Sequence, residues 1–520
     1  MENAVKWEVA KLVYRTSIVI ILLFVLWGAF APKNLGNFSN HAFSFTISNF
    51  GWLYLFLTFG FLIFALYLAF SRFGNIRLGS DDDEPEYSNL SWFAMLFSAG
   101  MGIGLVFWGV AEPIDHYMDP PYGDAKTPDA ARLALRYSFF HWGLQPWAIY
   151  TIISLSLAYF QFRKGKVGLI SSTFYPILGE KVSGPIGKAI DILAILATVF
   201  GVATSLGLGA LQINGGLSHL LGIPTTTSWQ IIIIAVVTVL YMVSATTGLD
   251  KGILLLSNGN LILAVLLLLI TFLLGPSAFL LDTFTVTLGS YVQNLLSMSL
   301  RLTPFQNNPW IGKWTLFYWA WWIAWAPFVG MFIARVSKGR TIKEFVLGVL
   351  LVPSLFSFIW FTVFGGTALH QQMFEGKKMV QAVQHDVTSA LFVTLEGLPF
   401  GMILSVIATL LIITFFITSA DSATFVLGML SSKGDLNPSN KIKLSWGILQ
   451  SSIAIVLLLS GGLNGLQTAS IITALPFGII MAFMCFSIYK ALQQEVKQER
   501  KEERIRRKKI DKLISEKMDQ

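Results

Sequence analysis

Cysteine and charged residues are scarce in this chain of 520 residues, and each scarcity excludes a class of protein. The single cysteine, Cys485, lies in an apolar run near the C-terminus, which excludes an internal disulfide framework and a cysteine-based metal site. Charged residues make up 13% of the chain, hydrophobic residues make up 54%, and the mean hydropathy is +0.65. Soluble cores are not this apolar over such a length, so the composition indicates a polytopic membrane protein.

Patterns typical of enzymes and of nucleic-acid-binding proteins are also missing. The six histidines are scattered along the chain without metal-ligand spacing, and no Ser/His/Asp set can be placed at one membrane depth. The net charge is +8, but the basic residues lie between hydrophobic segments, where they set topology. We therefore expect neither enzymatic activity nor a nucleic-acid partner.

Twelve apolar segments are each long enough to cross a bilayer as a helix of about 18 to 25 residues. The boundaries of the fifth and tenth are soft, because Gly, Ser and Thr interrupt them. Pro32 directly after the first segment argues against cleavage as a signal peptide. The predicted spans are 14–31, 50–71, 90–113, 134–161, 187–213, 230–247, 253–274, 314–336, 344–368, 398–430, 444–460 and 466–489.

Basic residues predict the orientation of these spans in the membrane. They fall on one side, which also holds both termini, so we expect N and C termini in the cytoplasm and the protein in a bacterial plasma membrane. The basic residues on that side are Arg72, Arg77, Arg163, Lys164, Lys166, Lys251, Arg335, Lys338, Arg340, Lys343, Lys433, Lys441 and Lys443.

Two segments are too polar to cross the membrane. Between the seventh and eighth spans, apolar residues recur at helical spacing within 282–301, which predicts an amphipathic helix on the outer surface. The residues on that face are Phe284, Leu288, Tyr291, Val292 and Leu295. The tail from Lys490 onward holds eleven Lys or Arg against seven Asp or Glu. It is either a solvated helix end or a contact with anionic lipid headgroups.

The stretch from Trp314 to Arg335 is dense in aromatic residues, and its helical spacing places Trp321, Trp322 and Trp325 close together. Quaternary ammonium groups have no N–H to donate, so proteins hold them mainly against aromatic faces. Trp142, Trp147 and Tyr150 in the fourth span could complete such an aromatic box. The alternative is an interfacial aromatic belt, but this cluster lies in the middle of its span.

Two further patterns indicate an interrupted helix and a cation site. Gly100, Gly102 and Gly104 in the third span make a poor continuous helix and predict local unwinding, although glycines also permit close helix packing. Thr418 and Ser419 in the tenth span offer adjacent hydroxyls, which together with backbone carbonyls could enclose a hard cation. Otherwise such hydroxyls bond back to their own helix.

These motifs resemble the betaine–choline–carnitine transporter family over essentially the whole chain. The resemblance implies an all-α protein with a leucine-transporter-like core of two inverted five-helix repeats, spans 3–7 and 8–12, and a homotrimer with the 282–301 helix in the subunit contact. The runs that match are GMGIGLVFWGVAEP (100–113), HWGLQPWAIY (141–150), ATVFGVATSLGLGALQ (197–212), FYWAWWIAWAPFVGMFIARVSKGR (317–340) and TSADS (418–422).

The resemblance also implies a division of the chain and a set of site residues. Residues 1–89 would hold two N-terminal helices and a cytoplasmic loop, 90–280 the first repeat, 281–312 the outer helix and loop, 313–489 the second repeat and 490–520 the tail. The implied substrate residues are Trp142, Trp147, Tyr150, Phe317, Trp321, Trp322, Trp325, Gly104 and Ser205. The implied sodium ligands are the backbone carbonyls of Ala99, Met101 and Phe415 and the hydroxyls of Thr418 and Ser419.

Departures from the family pattern sharpen the expected substrate and coupling. Choline-preferring relatives tend to carry Asp at the position of Gly104, so glycine here favours a zwitterionic betaine. Basic side chains, which sodium-independent relatives place in the sodium site, are missing from 200–215 and 404–430. Val202 stands where a second sodium site needs threonine, one turn after Thr198. We expect sodium-coupled import of glycine betaine for osmoprotection; the alternatives are a proton-coupled choline or carnitine carrier and a non-transporting membrane sensor.

Overall fold

The computed structural model describes residues 2–100, 102–247, 250–306 and 308–518. Within these ranges the chain is helical, and its only extended pairing is an isolated bridge between Arg77 and Thr341. The first two helices are α1 (Glu2–Phe30) and α2 (Pro32–Phe70). Pro32 occupies the first turn of α2, where its fixed φ and missing N–H are tolerated. With 39 residues α2 is much longer than the predicted span 50–71.

The third predicted span is two helices, α3 (Asn89–Gly100) and α4 (Ile103–Met118). Gly102 between them is fully extended, with φ −155° and ψ −178°. The predicted interruption is therefore confirmed, although Met101 itself lies outside the described residues. The carbonyl of Leu105, just after the break, accepts a hydrogen bond from the Trp360 indole at 3.1 Å, which fixes the start of α4.

The fourth predicted span is also broken, which the sequence analysis did not predict. It consists of α5 (Pro128–Trp142) and α6 (Leu144–Ala158), separated at Gly143. A Cβ at Gly143 would lie 2.5 Å from the Phe139 carbonyl oxygen and 2.8 Å from the Phe358 ring, so only glycine fits there. Because of the break, Trp142 and Trp147 project from two helices whose axes differ.

Short turns follow: a π turn (Tyr159–Arg163), 3-10 turns (Ser171–Phe174 and Gly179–Ser183) and α7 (Tyr175–Leu178) between them. Four longer helices come next, α8 (Pro185–Leu221), α9 (Thr227–Thr247), α10 (Asp250–Leu274) and α11 (Ser277–Ser299). Helix α11 corresponds to the predicted outer helix. Of the apolar residues that predicted an amphipathic helix, Tyr291 is buried, whereas Val292 is 64% exposed.

The second half begins with a π turn (Gly312–Leu316) that leads into α12 (Phe317–Arg335). Helix α13 follows, with a capping box between Thr341 and Glu344 at its start. A bend at Gly462, with φ 56° and ψ −133°, interrupts the last helix between the eleventh and twelfth predicted spans. These elements are α13 (Ile342–Phe374), α14 (Met379–His385), a 3-10 turn (Val387–Ser389), α15 (Ala390–Glu396), α16 (Gly401–Ser431) and α17 (Asn440–Met518).

The described part of the chain holds nine helices that are long and apolar enough to cross a membrane. The number falls below twelve because spans three and four are each split into shorter helices and the last two spans run through α17. The chain is an all-helical multi-pass membrane protein. The count of twelve, the inverted repeats, the trimer and the orientation of the termini stay predictions.

Helix α12 lies at the centre of the molecule, packed against α6, α8 and α17. From Phe317 to Ala324 its residues are buried on every side, as expected of a core helix rather than an amphipathic surface helix. Helix α6, which faces it, is buried over its whole length. The aromatic residues of α12 therefore lie inside the protein rather than in an interfacial belt.

A cluster of charged groups ties the tail to the end of α6. Glu495 accepts hydrogen bonds from Tyr159 and Arg163 and pairs with Lys164, while Arg163 also bridges to Asp81 at 2.8 Å. Burial raises the pKa of Glu495, but the hydrogen bonds from these partners outweigh it and hold the pKa below its ordinary value. The first turns of the predicted tail are thus anchored, whereas the basic block beyond them is exposed.

Candidate functional site

The middle of α12 presents a continuous aromatic surface. Tyr318, Trp321, Trp322 and Trp325 are spaced three or four residues apart, so they share one side of the helix. Trp321 and Trp322 stack with ring centroids 4.8 Å apart and an interplanar angle of 14°. Tyr318 stacks on Trp322 at 5.8 Å. Phe317 stacks on Trp321 at 5.6 Å and extends this surface by one ring.

Rings from α5 and α6 stand edge-on to that surface. Trp142, the last residue of α5, meets Trp322 at 4.8 Å and 75°. Tyr150 from α6 meets Trp322 at 6.2 Å and 78°, and Trp147 contacts Tyr150 at 5.3 Å. Edge-to-face and stacked pairs at these distances are favourable. The structure therefore brings five predicted substrate residues and Phe317 into one aromatic box: Trp142, Trp147, Tyr150, Trp321 and Trp322 with Phe317 behind them.

Trp325 and Ser205 lie beside this box rather than in it. Among the described residues the ring partner of Trp325 is Phe328, at 5.4 Å, and its edge lies against Gly201 of α8. The Ser205 hydroxyl points back toward the Gly201 carbonyl at 3.4 Å. Trp325 and Ser205 thus both lie next to Gly201 of α8, beside the aromatic box.

Gly104 lets the start of α4 approach the indoles closely. A Cβ at this position would lie 2.5 Å from Cη2 of Trp321 and 3.1 Å from Cη2 of Trp142. Ordinary contacts to a Cβ are 3.4 Å or longer. The structure places Gly104 against Trp321 and Trp142, so its lack of a side chain has a packing reason in addition to any effect on selectivity.

Several polar atoms around the box have no hydrogen-bond partner among the described residues. They are the Tyr150 hydroxyl and the indole nitrogens of Trp321 and Trp325. A buried donor without a partner costs about 1–3 kcal/mol, so an acceptor group on a bound solute would relieve that cost. The box thus offers aromatic faces to a cation and free N–H and O–H groups to an acceptor.

Behind the box lies a buried carboxylate that the sequence analysis missed. Glu112 of α4 is completely buried and accepts hydrogen bonds from the Trp142 indole at 2.9 Å and from the Tyr318 hydroxyl. His141 and His116 approach its other oxygen at 2.8 and 3.2 Å. Two of the six histidines described as scattered, His116 and His141, therefore converge on one acid. An ionisable residue inside a predicted span was the signal available in the sequence, since such residues are costly at that depth.

Glu112, His116 and His141 also form a possible metal-ligand set, because their ligand atoms all lie within 4.8 Å of one another. This corrects the expectation that no metal-ligand grouping exists in the chain. However, Oε2 of Glu112 is already engaged by Trp142 and Tyr318. The close approach of Oε1 to the His141 nitrogen is a hydrogen-bond distance, so the group is a hydrogen-bonded cluster as it stands.

Four of the five predicted sodium ligands lie on two helices, and the fifth, Met101, lies outside the described residues. Ala99 is near the end of α3, and Phe415, Thr418 and Ser419 are in the middle of α16. The Thr418 hydroxyl lies 3.0 Å from the Thr414 carbonyl and accepts a hydrogen bond from the Asn260 amide at 3.2 Å. Asn260 of α10 is buried and was not singled out from the sequence.

The two positions of the doubtful second sodium site, Thr198 and Val202, both lie on α8. The Thr198 hydroxyl donates to the Ala194 carbonyl one turn earlier, at 2.7 Å. Val202, one turn later on α8, is buried and apolar. The sequence-based doubt about this site therefore stands.

Comparison with known proteins places the whole chain in a single family. A family model described as "BCCT, betaine/carnitine/choline family transporter" matches residues 12–497. The chain is 54% identical over 493 residues to the glycine betaine transporter OpuD of Bacillus subtilis, covering 94% of this chain and 95% of that protein. It is 51% identical to a probable glycine betaine transporter of Desulfitobacterium hafniense, with 92% and 97% covered. It is 47% identical to an ectoine/hydroxyectoine transporter of Virgibacillus pantothenticus, with 93% and 96% covered. The chain belongs to the betaine/carnitine/choline family of transporters.

Proposed function

We propose that this transporter imports glycine betaine, or a closely related quaternary ammonium solute, together with sodium and thereby protects the cell against osmotic stress. The observation that best supports this substrate is the aromatic box around Trp142 and Trp322. A trimethylammonium group has no N–H and is attracted by aromatic faces within about 6 Å. The same box sits inside a multi-pass membrane protein, which suits transport across a bacterial plasma membrane with both termini in the cytoplasm.

A zwitterion fits the site better than a simple cation does. The unpartnered donors of Tyr150, Trp321 and Trp325 offer hydrogen bonds to a carboxylate. Gly104 adds no negative charge that would repel that carboxylate. The relatives named as glycine betaine transporters point in the same direction. A relative named for ectoine, which is also zwitterionic, makes ectoine the natural competitor to test.

Sodium coupling rests on the predicted ligands of α3 and α16. The hydroxyls of Thr418 and Ser419 and the carbonyls of Ala99, Met101 and Phe415 would supply five oxygens, as a hard cation prefers. Within the family the rival is a proton-coupled choline or carnitine carrier. The basic tail is proposed to contact anionic lipid headgroups. The exposed apolar residues of α11, such as Leu281, Val292 and Leu296, suit a homotrimer contact.

Counterflow in proteoliposomes tests the proposal directly. Vesicles preloaded with unlabelled glycine betaine should accumulate external labelled glycine betaine. Net uptake into unloaded vesicles should require an inward sodium gradient and should survive a protonophore. Uptake that is unchanged when potassium replaces sodium would refute sodium coupling. Choline, carnitine and ectoine as competitors rank the substrates, and stronger competition by any of them than by glycine betaine would overturn the substrate assignment.

A further inference from the structure

We infer that Glu112 is the specificity-determining residue that makes the aromatic box prefer a cationic head over a neutral one of the same shape. Its buried carboxylate holds Trp142 and Tyr318 by their polar hydrogens and places a negative charge directly behind their rings. The inference rests on the proposed function, because it concerns how that box selects its solute.

The carboxylate joins three helices at the box. From α5, the indole of Trp142 donates to Oε2; from α12, the hydroxyl of Tyr318 donates to the same oxygen. Trp322 is linked to the same cluster, since its indole donates to the His141 carbonyl at 3.0 Å. Two residues of the box, Trp142 and Trp322, and Tyr318 beside them thus have their polar atoms fixed by Glu112 or by the His141 carbonyl. Hydrogen bonds to a charged acceptor are about twice as strong as neutral ones.

The tautomers of the two histidines can be assigned from their partners. Nε2 of His116 faces Glu112, while its Nδ1 has no hydrogen-bond partner among the described residues. An imidazolium would leave a buried N–H without an acceptor there, so this geometry favours the neutral tautomer of His116 with its proton on Nε2.

His141 follows the same logic. Its Nδ1 lies 2.8 Å from Glu112 and its Nε2 lies 3.0 Å from the Thr315 hydroxyl. In the described part of the chain Thr315 has no other hydrogen-bond partner, so its hydroxyl proton is satisfied only by donating to a neutral Nε2. Neutral His141 then donates from Nδ1 to Glu112. Two neutral histidines leave the carboxylate of Glu112 as an uncompensated negative charge.

That charge acts on a cation in two ways. It attracts the ammonium directly through a medium of low dielectric, where Coulomb energies are much larger than in water. It also polarises the indole and phenol whose N–H and O–H it accepts, because hydrogen bonds to a charge redistribute electron density toward the donor's ring. Both effects strengthen the binding of a cationic head, and neither acts on a neutral head of the same size.

A metal ion is the main rival occupant of this cluster. Two ligands of a tetrahedral zinc, each about 2.05 Å from the metal, lie about 3.3 Å apart. Oε1 of Glu112 and Nδ1 of His141 are closer, at 2.8 Å, as in a hydrogen bond. A metal would also compete with Trp142 and Tyr318 for the carboxylate. The geometry of the cluster therefore fits a carboxylate that accepts hydrogen bonds from aromatic side chains better than it fits a metal site.

The test compares two solutes that differ only in charge on the head. Glycine betaine and 3,3-dimethylbutanoate have the same shape, with nitrogen replaced by carbon in the second. Their dissociation constants are measured by intrinsic fluorescence on the purified full-length protein in lipid nanodiscs. The key variant is Glu112→Gln, which keeps the shape and removes the charge. The matched control is Asp115→Asn, which removes a charge one turn later on α4, where Asp115 is partly exposed and pairs with Lys313.

We expect Glu112→Gln to weaken binding of glycine betaine roughly tenfold to hundredfold more than binding of 3,3-dimethylbutanoate. This range corresponds to the Coulomb energy between the Glu112 charge and an ammonium head about 6 to 8 Å away, at an effective dielectric constant of about 20. The lower end of the range allows for relaxation of the surrounding protein. Glu112→Asp, which keeps the charge, should retain most of the preference even if both solutes bind more weakly. Asp115→Asn should behave like the wild type.

Three results would overturn the inference. If Glu112→Gln weakens the binding of both solutes equally, Glu112 only stabilises the fold and does not select the solute. An unchanged preference would show that the charge does not select. Stoichiometric zinc in the purified wild type, lost in Glu112→Gln, would make the cluster a metal site. If Glu112→Gln does not fold, Tyr318→Phe replaces it; this variant keeps the ring, loses one donor to the carboxylate, and should lower the preference by a few-fold. Wild-type protein that fails to bind glycine betaine would refute the proposed function instead.

Discussion

Gly104→Ala is the smallest change that should weaken solute binding by the aromatic box. The added Cβ would lie 2.5 Å from Cη2 of Trp321, about 1 Å closer than an ordinary contact. The indole ring is rigid, so its far end cannot bend away from the added Cβ. Trp321 is also held in place by stacking on Phe317 and on Trp322. The strain must therefore pass into the rings that bind the solute.

The expected cost follows from this crowding. Overpacking a rigid core by one methyl group costs about 1–3 kcal/mol, which corresponds to roughly fivefold to 150-fold in affinity when the strained ring belongs to the binding site. Alanine improves helix propensity by about 1 kcal/mol, so global stability should change little while affinity falls. The measurement is the KM for glycine betaine in sodium-energised proteoliposomes, together with the melting temperature of the purified protein.

Gly102→Ala is the matched control. It stands two residues earlier in an extended conformation that alanine can adopt, and its Cβ would meet Cη2 of Trp325 at an ordinary 3.8 Å. We expect its KM to stay within about twofold of the wild type, the range for a substitution without strain. A Gly104→Ala variant with the wild-type KM, or equal losses in both variants, would refute the packing argument.

Three further predictions concern the box, the coupling ion and charge selectivity. Trp322→Leu should weaken binding about thirtyfold, because it removes a desolvated cation–π contact worth about 2 kcal/mol. The control Trp52→Leu, at an exposed position, should leave the affinity unchanged. Unchanged affinity in Trp322→Leu would remove this residue from the site. Replacing Thr418 and Ser419 together by Ala should raise the sodium concentration for half-maximal uptake, and a change in maximal rate alone would place the ion elsewhere. Gly104→Asp should favour choline over glycine betaine in competition assays relative to the isosteric Gly104→Asn, and identical competition profiles would defeat the charge argument.

Hydropathy and helical periodicity were sufficient to predict much of this structure. The aromatic side of α12 depends only on spacing within one helix, and the interruption at Gly102 depends on a local run of glycines. Both features are local in sequence, so they could be predicted without knowledge of tertiary contacts.

The features that were missed depend on distant neighbours. The need for glycine at the break comes in part from Phe358, which lies more than two hundred residues after Gly143 in the sequence. The Glu112 cluster joins residues 29 and 206 positions apart, and no periodicity within one helix relates them.

The close packing of Trp142 on Trp322 has a consequence for how tightly any solute can bind. With centroids 4.8 Å apart, the two rings leave no room for a trimethylammonium group between them, which needs several ångströms on each side. A solute that binds between these two rings requires the pair to separate, and its apparent dissociation constant then equals the intrinsic one divided by the fraction of molecules already open. Each tenfold decrease in that fraction weakens apparent binding tenfold without altering a single contact in the complex. A substitution that loosens the ring pair could therefore increase affinity and slow solute release, which would make the tightest-binding variant a poor transporter.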